Sequence, residues 1–157
     1  MVQTPPKPNT LSLELPIDQL GVWVENNYAL GKGFESSTGF KLPNGATRSP
    51  DTSWVSQERV DALSAEQKQE TFTPVCPDFV VELRSDPDTL KSFREKMCEY
   101  MDNGARLGWL LNSKNRRVEV YRTRQSMEVF EVPSELSREG ILLNICAEAT
   151  SYLDLTP

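Results

Sequence analysis

The pattern of apolar and polar residues is clearest in PDFVVELRS, which runs from Pro77 to Ser85 and predicts a short buried strand. Period-two spacing places three apolar residues on one face, Phe79, Val81 and Leu83. The other face carries Val80, Glu82 and Arg84. Glu82 is the exception in this strand, because a carboxylate rarely enters a buried strand unless it is paired, hydrogen-bonded or bound to a metal.

A helical pattern follows this strand. Apolar residues recur at helical spacing in a stripe made by Leu90, Phe93, Met97, Tyr100 and Met101. Start signals at Ser85–Pro87 and stop signals at Asn103 and Gly104 bound the predicted helix. At about 100° per residue, Lys96 flanks the stripe. Its stem could simply cover apolar surface, or its ammonium group could point to a site beside Glu82, and the spacing alone favours neither.

Weaker patterns predict the remaining elements. They are an amphipathic helix within Leu15–Leu30, a β-hairpin turning at Pro43–Gly45, a core strand in SPDTSWV, a helix opened by the capping box Ser64–Gln67, two strands in GARLGWLLN and RRVEVYR joined by SKNR, and a strand in MEVFEV. Asp51 follows Pro50 at the start of SPDTSWV. An aspartate at such a place is often only a turn residue, so a structural and a functional interpretation both stay open.

The length of 157 residues predicts one domain, with a flexible proline-rich lead at 1–14 and a single domain at 15–157. No apolar run is long enough to cross a membrane, and no secretory signal is present, so we expect a cytoplasmic protein that does not contact a membrane. Three cysteines without CxxC spacing fit a reducing compartment.

The composition also limits the chemistry. The chain contains 0 histidines, which excludes Ser-His-Asp triads, Cys-His pairs and histidine-based zinc sites. Any acid–base or metal chemistry must therefore use carboxylates, lysine, tyrosine or water. A net charge of −6 argues against strong nonspecific binding to DNA, although a local basic groove would still permit a nucleic-acid role.

Four stretches taken together resemble a known family. SSTGFKLPNGATRSPDTSWV, CPDFVVELRS, KMCEYMDNGARLGWLL and NRRVEVYR closely resemble, in the same order, small restriction-endonuclease-like proteins of the PD-(D/E)XK class. The resemblance covers about residues 31–130. It implies an α/β fold, with a restriction-endonuclease-like core in which a mixed β-sheet is flanked by helices. It also implies a DNA endonuclease that acts as a homodimer.

The resemblance assigns roles to four residues. Asp51 matches the aspartate of the PD element and Glu82 the acidic residue of the (D/E)XK strand, so both would be catalytic and would hold Mg²⁺ or Mn²⁺. Arg84 stands at the position of the motif lysine and would contact a substrate phosphate. The lysine is displaced onto the following helix, where Lys96 would assist the attacking water or the transition state.

The chain also departs from the family pattern. A short proline-rich lead stands where relatives carry a longer segment with a glutamate-bearing hairpin, and the C-terminal part diverges, so we expect a shortened and divergent member. The alternative function is a catalytically inactive nuclease fold that acts in dimerisation or nucleic-acid binding. A third possibility is an acidic regulatory or scaffold protein without a nucleic-acid role.

Overall fold

A computed structural model of the chain describes residues 31–84, 90–112 and 117–131. In chain order the strands are β1 Gly31–Glu35, β2 Gly39–Lys41, β3 Thr47–Arg48, β4 Thr52–Ser56, β5 Phe72–Thr73, β6 Phe79–Leu83, β7 Leu107–Asn112, β8 Arg117–Arg122 and β9 Glu128–Glu131. The helices of the same part of the chain are α1 Gln57–Asp61, α2 Ala65–Lys68 and α3 Leu90–Asp102.

The strands form two sheets. The larger sheet has six strands in the order β1-β4-β6-β7-β8-β9, and the smaller has three in the order β3-β2-β5. In the larger sheet β6 and β7 are parallel, whereas its other neighbours are antiparallel. A parallel pair needs a crossover connection, and α3 lies in the segment that provides it. The architecture is therefore a mixed sheet in which a helix lies in the segment that connects the two central strands, β6 and β7.

Every residue of β6 and β7 is buried. Strands of this kind carry nearly continuous apolar runs, because both faces of the sheet are covered. Glu82 is 2% exposed and lies opposite Leu110 of β7. The carboxylate predicted to be exceptional is thus held inside one of the two central strands.

Helix α3 packs against one face of this sheet through Met97 and Tyr100, both fully buried in a cluster with Val80 and Leu110. Gly108 of β7 allows the close approach, since a Cβ there would lie 2.6 Å from Cε of Met97. The helix ends before Gly104, whose φ of 112° suits glycine. This packing brings the side chains of α3 onto the sheet face that carries Glu82.

The main predicted elements are confirmed. The hairpin closes with Leu42 N–H donating to the carbonyl of Ala46 at 2.8 Å, and Ser64 and Gln67 form both bonds of the predicted capping box. The strands expected in SPDTSWV, PDFVVELRS, GARLGWLLN, RRVEVYR and MEVFEV are β4, β6, β7, β8 and β9. The helix expected within Leu15–Leu30, the cap at Ser85–Pro87 and the SKNR turn lie outside the described residues, as do the lead and the C-terminal segment.

Three elements were not predicted: β1, β5 and α1. Strand β1 begins at Gly31, where glycine gives no strand signal of its own. The structure shows why glycine fits: a Cβ at Gly31 would lie 2.3 Å from Cε2 of Trp54 on β4. The close approach of this neighbouring side chain is a tertiary constraint that a single strand pattern does not reveal.

Asp78, just before β6, connects several elements. Its side chain is 2% exposed, and its Oδ2 accepts a hydrogen bond from the N–H of Ser56 at 2.7 Å. Its Oδ1 lies 3.3 Å from Nε of Arg59 on α1. Arg59 in turn donates to the carbonyls of Cys76 and Gly104 at 2.9 Å and 2.8 Å. One buried carboxylate therefore joins the end of β4, helix α1 and the start of β6.

We expect Asp78→Asn to lower the free energy of unfolding by about 1–3 kcal/mol, because the amide can accept from Ser56 but cannot neutralise Arg59. Chemical denaturation of both proteins measures the difference. Asp61→Asn is the control, since Asp61 is an exposed aspartate of α1 bonded to Gln57. Equal losses in the two variants would contradict the proposed anchoring role of Asp78.

Candidate functional site

Glu82 is the centre of the candidate site. Its Oε1 lies 2.8 Å from Nζ of Lys96 and accepts a hydrogen bond from the O–H of Tyr100 at 3.0 Å. Lys96 and Tyr100 are four residues apart on α3, so they project from the same helix face. The ammonium group of Lys96 thus points to the carboxylate, which is the second of the two orientations left open by helical spacing.

Asp51 lies at the edge of the same site. The register of β4 and β6 pairs Thr52 with Val81, so one further step sets Asp51 opposite Glu82. Because β4 begins only at Thr52, the side chain of Asp51 continues the pairing: its Oδ2 accepts from the N–H of Leu83 at 2.7 Å. This bond fixes a carboxylate beside the strand that carries Glu82, from a segment distant in sequence.

The electrostatics of the site centre on Glu82. Burial raises the pKa of Glu82 above its usual value, and the negative charge of Asp51 raises it further. The charge and hydrogen bond of Lys96 and the hydrogen bond from Tyr100 oppose that rise without cancelling it. The carboxylates of Asp51 and Glu82 therefore repel each other, and a cation bound between them would relieve this repulsion.

Tyr100 stays protonated in this arrangement and acts as a hydrogen-bond donor. Burial raises the pKa of its phenol far above the usual value, and the neighbouring Glu82 carboxylate adds to the rise. The phenol is fully buried in the core cluster, keeps its proton and donates a hydrogen bond to Glu82. Tyr100 was expected to serve the core, and it does so while also orienting Glu82.

The donor set suits a hard cation. Within the described residues, the hydrogen bonds and ion pairs involve Oδ2 of Asp51 and Oε1 of Glu82, which leaves the second oxygen of each carboxylate for a further ligand. In the same part of the chain no group of three or more cysteine, aspartate and glutamate side chains converges. Two carboxylates with water and phosphate oxygens fit the oxygen ligation that Mg²⁺ and Mn²⁺ prefer.

Arg84 follows β6 directly, two residues after Glu82. Its backbone N–H donates to the carbonyl of Leu111 at 2.9 Å and so extends the pairing of β6 with β7 by one bond. The residue is half-buried. It therefore lies at the same end of β6 as Leu83, whose N–H contacts Asp51.

Besides Glu82 and Asp78, a third buried carboxylate, Glu119, was not anticipated from the sequence. Glu119 of β8 is 3% exposed and lies opposite Leu110, in the same row of the sheet as Glu82. Arg94 of α3 donates to both of its oxygens, and the O–H of Tyr121 donates to Oε2 at 2.8 Å. Because both oxygens are engaged with side chains of the fold, Glu119 serves to attach α3 to the sheet.

The fold is shared with a solved nuclease-like protein. The crystal structure described as "a putative nuclease belonging to DUF820 from Anabaena variabilis ATCC 29413" matches with a TM-score of 0.65 and 17% sequence identity, over 96% of this chain and 84% of that chain. The protein therefore has the restriction-endonuclease-like α/β fold that the resemblance implied. No curated protein matches this chain.

The sequence gives a more specific assignment. The profile of the Uma2 family, described as "Putative restriction endonuclease", matches residues 1–150. The chain belongs to the Uma2 family, which confirms the expected kinship with restriction-endonuclease-like proteins. In the part of the chain that the structure describes, no helix is both long and apolar enough to cross a membrane.

We expect Glu82 to make the stability of the metal-free protein depend on pH. Because its folded pKa is raised, the folded state binds the proton more tightly than the unfolded state. The resulting contribution to stability is fully present below the ordinary glutamate pKa of about 4.3 and is lost as the pH rises through the folded pKa.

Denaturant unfolding in EDTA, from about pH 4 to pH 8, measures this effect. The free energy of unfolding of the parent, minus that of Glu82→Gln, should fall with rising pH because glutamine does not titrate. Glu66→Gln, at an exposed position of α2, controls for the loss of one carboxylate. A difference that stays constant across this range would contradict the raised pKa of Glu82.

Proposed function

We propose that the protein is a metal-dependent DNA endonuclease that hydrolyses phosphodiester bonds. The observation that supports this most is the meeting of Asp51, Glu82 and Lys96 at one end of β6, in a chain of the Uma2 family. Two carboxylates and one lysine are the residue types that phosphodiester hydrolysis uses when no histidine is available. The solved protein with the same fold is described as "a putative nuclease", which agrees with this proposal.

Asp51 and Glu82 would hold Mg²⁺ or Mn²⁺ through the oxygens that the fold leaves for a ligand. When bound, such an ion polarises the scissile phosphate and lowers the pKa of a coordinated water. The chain's own contribution is to hold the two carboxylates in place. The N–H of Leu83 fixes Asp51, and the O–H of Tyr100 fixes Glu82.

Lys96 would act on the substrate side of Glu82. The Lys96 side chain is 29% exposed, and its Nζ lies 2.8 Å from the carboxylate of Glu82, so the lysine is both oriented and accessible to a ligand. A cation held there would stabilise negative charge developing on the phosphate and orient the attacking water. Arg84, at the same end of β6, would contact a neighbouring phosphate through its guanidinium group. We also propose a homodimer, because two such sites in one assembly can act on the two strands of a duplex together.

A second candidate is a nuclease fold that binds nucleic acid or a partner copy without cutting. The net charge of −6 favours in particular its dimerisation form, because strong DNA binding normally relies on clustered basic residues. This alternative predicts a folded protein that shows no turnover with any divalent cation. It therefore differs from the endonuclease in one direct measurement.

The first functional prediction concerns the metal. We expect nicking or cutting of DNA with Mg²⁺ or Mn²⁺, and loss of activity in EDTA. Glu82→Ala should remove metal binding, measured by titration calorimetry, together with cleavage. Glu66→Ala, an exposed change of the same kind, should leave both unchanged. Cleavage in EDTA, or a Glu82→Ala protein as active as the parent, would contradict the proposal.

The second functional prediction separates the lysine from the carboxylates. Lys96→Met should slow cleavage by about 10²–10³-fold, the usual cost of losing one group that stabilises the transition state. Metal affinity should not weaken, because a protonated lysine is not a ligand. The measurement is single-turnover cleavage at saturating metal, beside a calorimetric titration. Loss of metal binding in Lys96→Met, with the fold intact by circular dichroism, would show that the lysine serves the metal site instead.

A further inference from the structure

An open groove of about 650 Å³ lies between α3 and β3, next to the candidate site. Its lining includes Thr47, Arg48, Ser49, Ser92, Lys96 and Glu99. One wall is the part of α3 that carries Lys96, which contacts Glu82. The other wall is the segment that leads directly into Asp51, two residues after Ser49. The groove therefore lies beside both segments that supply residues of the candidate site.

Arg48 is held firmly on one wall of this groove. Its Nε donates to Oε2 of Glu99 at 2.6 Å, and its Nη1 donates to the carbonyl of Thr47 at 3.1 Å. The other oxygen of Glu99 accepts from Nδ2 of Asn44 at 3.0 Å. Glu99 is therefore fully engaged, and it fixes the orientation of the guanidinium group.

The guanidinium group keeps donors for a ligand. Arginine has five N–H donors, and within the described residues two of its nitrogens are hydrogen-bonded. The Arg48 side chain is 38% exposed, so solvent and ligands reach it. A planar fork already oriented by the fold matches phosphate geometry and loses little conformational entropy on binding.

The charges around Arg48 are compatible with an anionic ligand. Each acidic residue of the groove has a cationic partner: Glu99 pairs with Arg48, and Glu95 lies 3.8 Å from Nζ of Lys91. The hydroxyl groups of Ser49 and Ser92, on opposite walls, provide polar lining without charge. These pairs reduce the repulsion that Glu95 and Glu99 would exert on a phosphate.

We propose that Arg48 binds a backbone phosphate of the nucleic acid in this groove, next to the phosphate that is cut. The inference rests on the proposed function, because that function makes the ligand a phosphodiester chain. Arg48 is a binding residue in this proposal, whereas the chemistry remains with Asp51, Glu82 and Lys96. The groove would then be the path by which the substrate backbone reaches those residues.

The test measures binding without turnover, using the full chain, a fluorescent DNA duplex and Ca²⁺ in place of Mg²⁺. Fluorescence anisotropy at a series of KCl concentrations gives the slope of log affinity against log salt. Losing one phosphate contact should reduce the magnitude of this slope by about 0.9 for duplex DNA. We expect this reduction in Arg48→Gln, together with weaker binding. Arg124→Gln, an exposed change between β8 and β9, should keep the parent slope.

A second variant keeps the test decisive if Arg48→Gln does not fold by circular dichroism. Arg48→Lys keeps the charge but loses the planar fork, so we expect the parent slope with several-fold weaker binding. A parent slope and parent affinity in a folded Arg48 variant would overturn the proposal, and so would a folded parent that does not bind DNA. If the parent binds with the Arg48-dependent slope but cuts nothing with Mg²⁺ or Mn²⁺, the phosphate site stands and the endonuclease proposal fails.

Discussion

The burial of one carboxylate inside the central sheet is the constraint on which the structure of this end of the molecule depends. Removing Glu82 from water is costly, so the chain must supply partners for it. It supplies Lys96 and Tyr100 from a single face of α3. The helix that carries this face packs closely on the sheet at Gly108, where a Cβ would lie 2.6 Å from Cε of Met97. The position of the crossover helix and the chemistry of the candidate site therefore have the same physical origin.

Two Pro-Asp dipeptides place an aspartate near opposite ends of strand β6, and the two aspartates have different roles. Asp51, after Pro50, bonds to the N–H of Leu83 near the exit of β6 and lies beside Glu82. Asp78, after Pro77, bonds to the N–H of Ser56 near the entry of β6 and pairs with Arg59. Sequence reasoning identified the first through the family resemblance and overlooked the second. The difference lies in the partners that the fold brings to each carboxylate, which local sequence does not reveal.

Much of the described fold could be predicted from local sequence patterns. Period-two spacing located β6, helical spacing located α3, and turn and capping residues located the hairpin and α2, because these signals arise within a few residues. Strand β1 was not predicted from the sequence. The glycine at its start, Gly31, is explained by the close side chain of Trp54 on another strand, which a local pattern does not reveal. The four-residue spacing of Lys96 and Tyr100 indicated that both lie on one helix face, but not that this face meets Glu82. The attachment of Arg48 to Glu99 joins distant segments, and no local pattern indicates it.

The bond between Asp51 and the N–H of Leu83 has a consequence for observing the site. A backbone amide normally reports on the strand next to it, but this amide proton is held by a side chain that we propose as a metal ligand. Its NMR chemical shift and its rate of hydrogen exchange are therefore sensitive to the state of the Asp51 carboxylate. The fold thus contains an intrinsic spectroscopic probe of its own candidate site, and no extrinsic reporter group has to be attached to the protein.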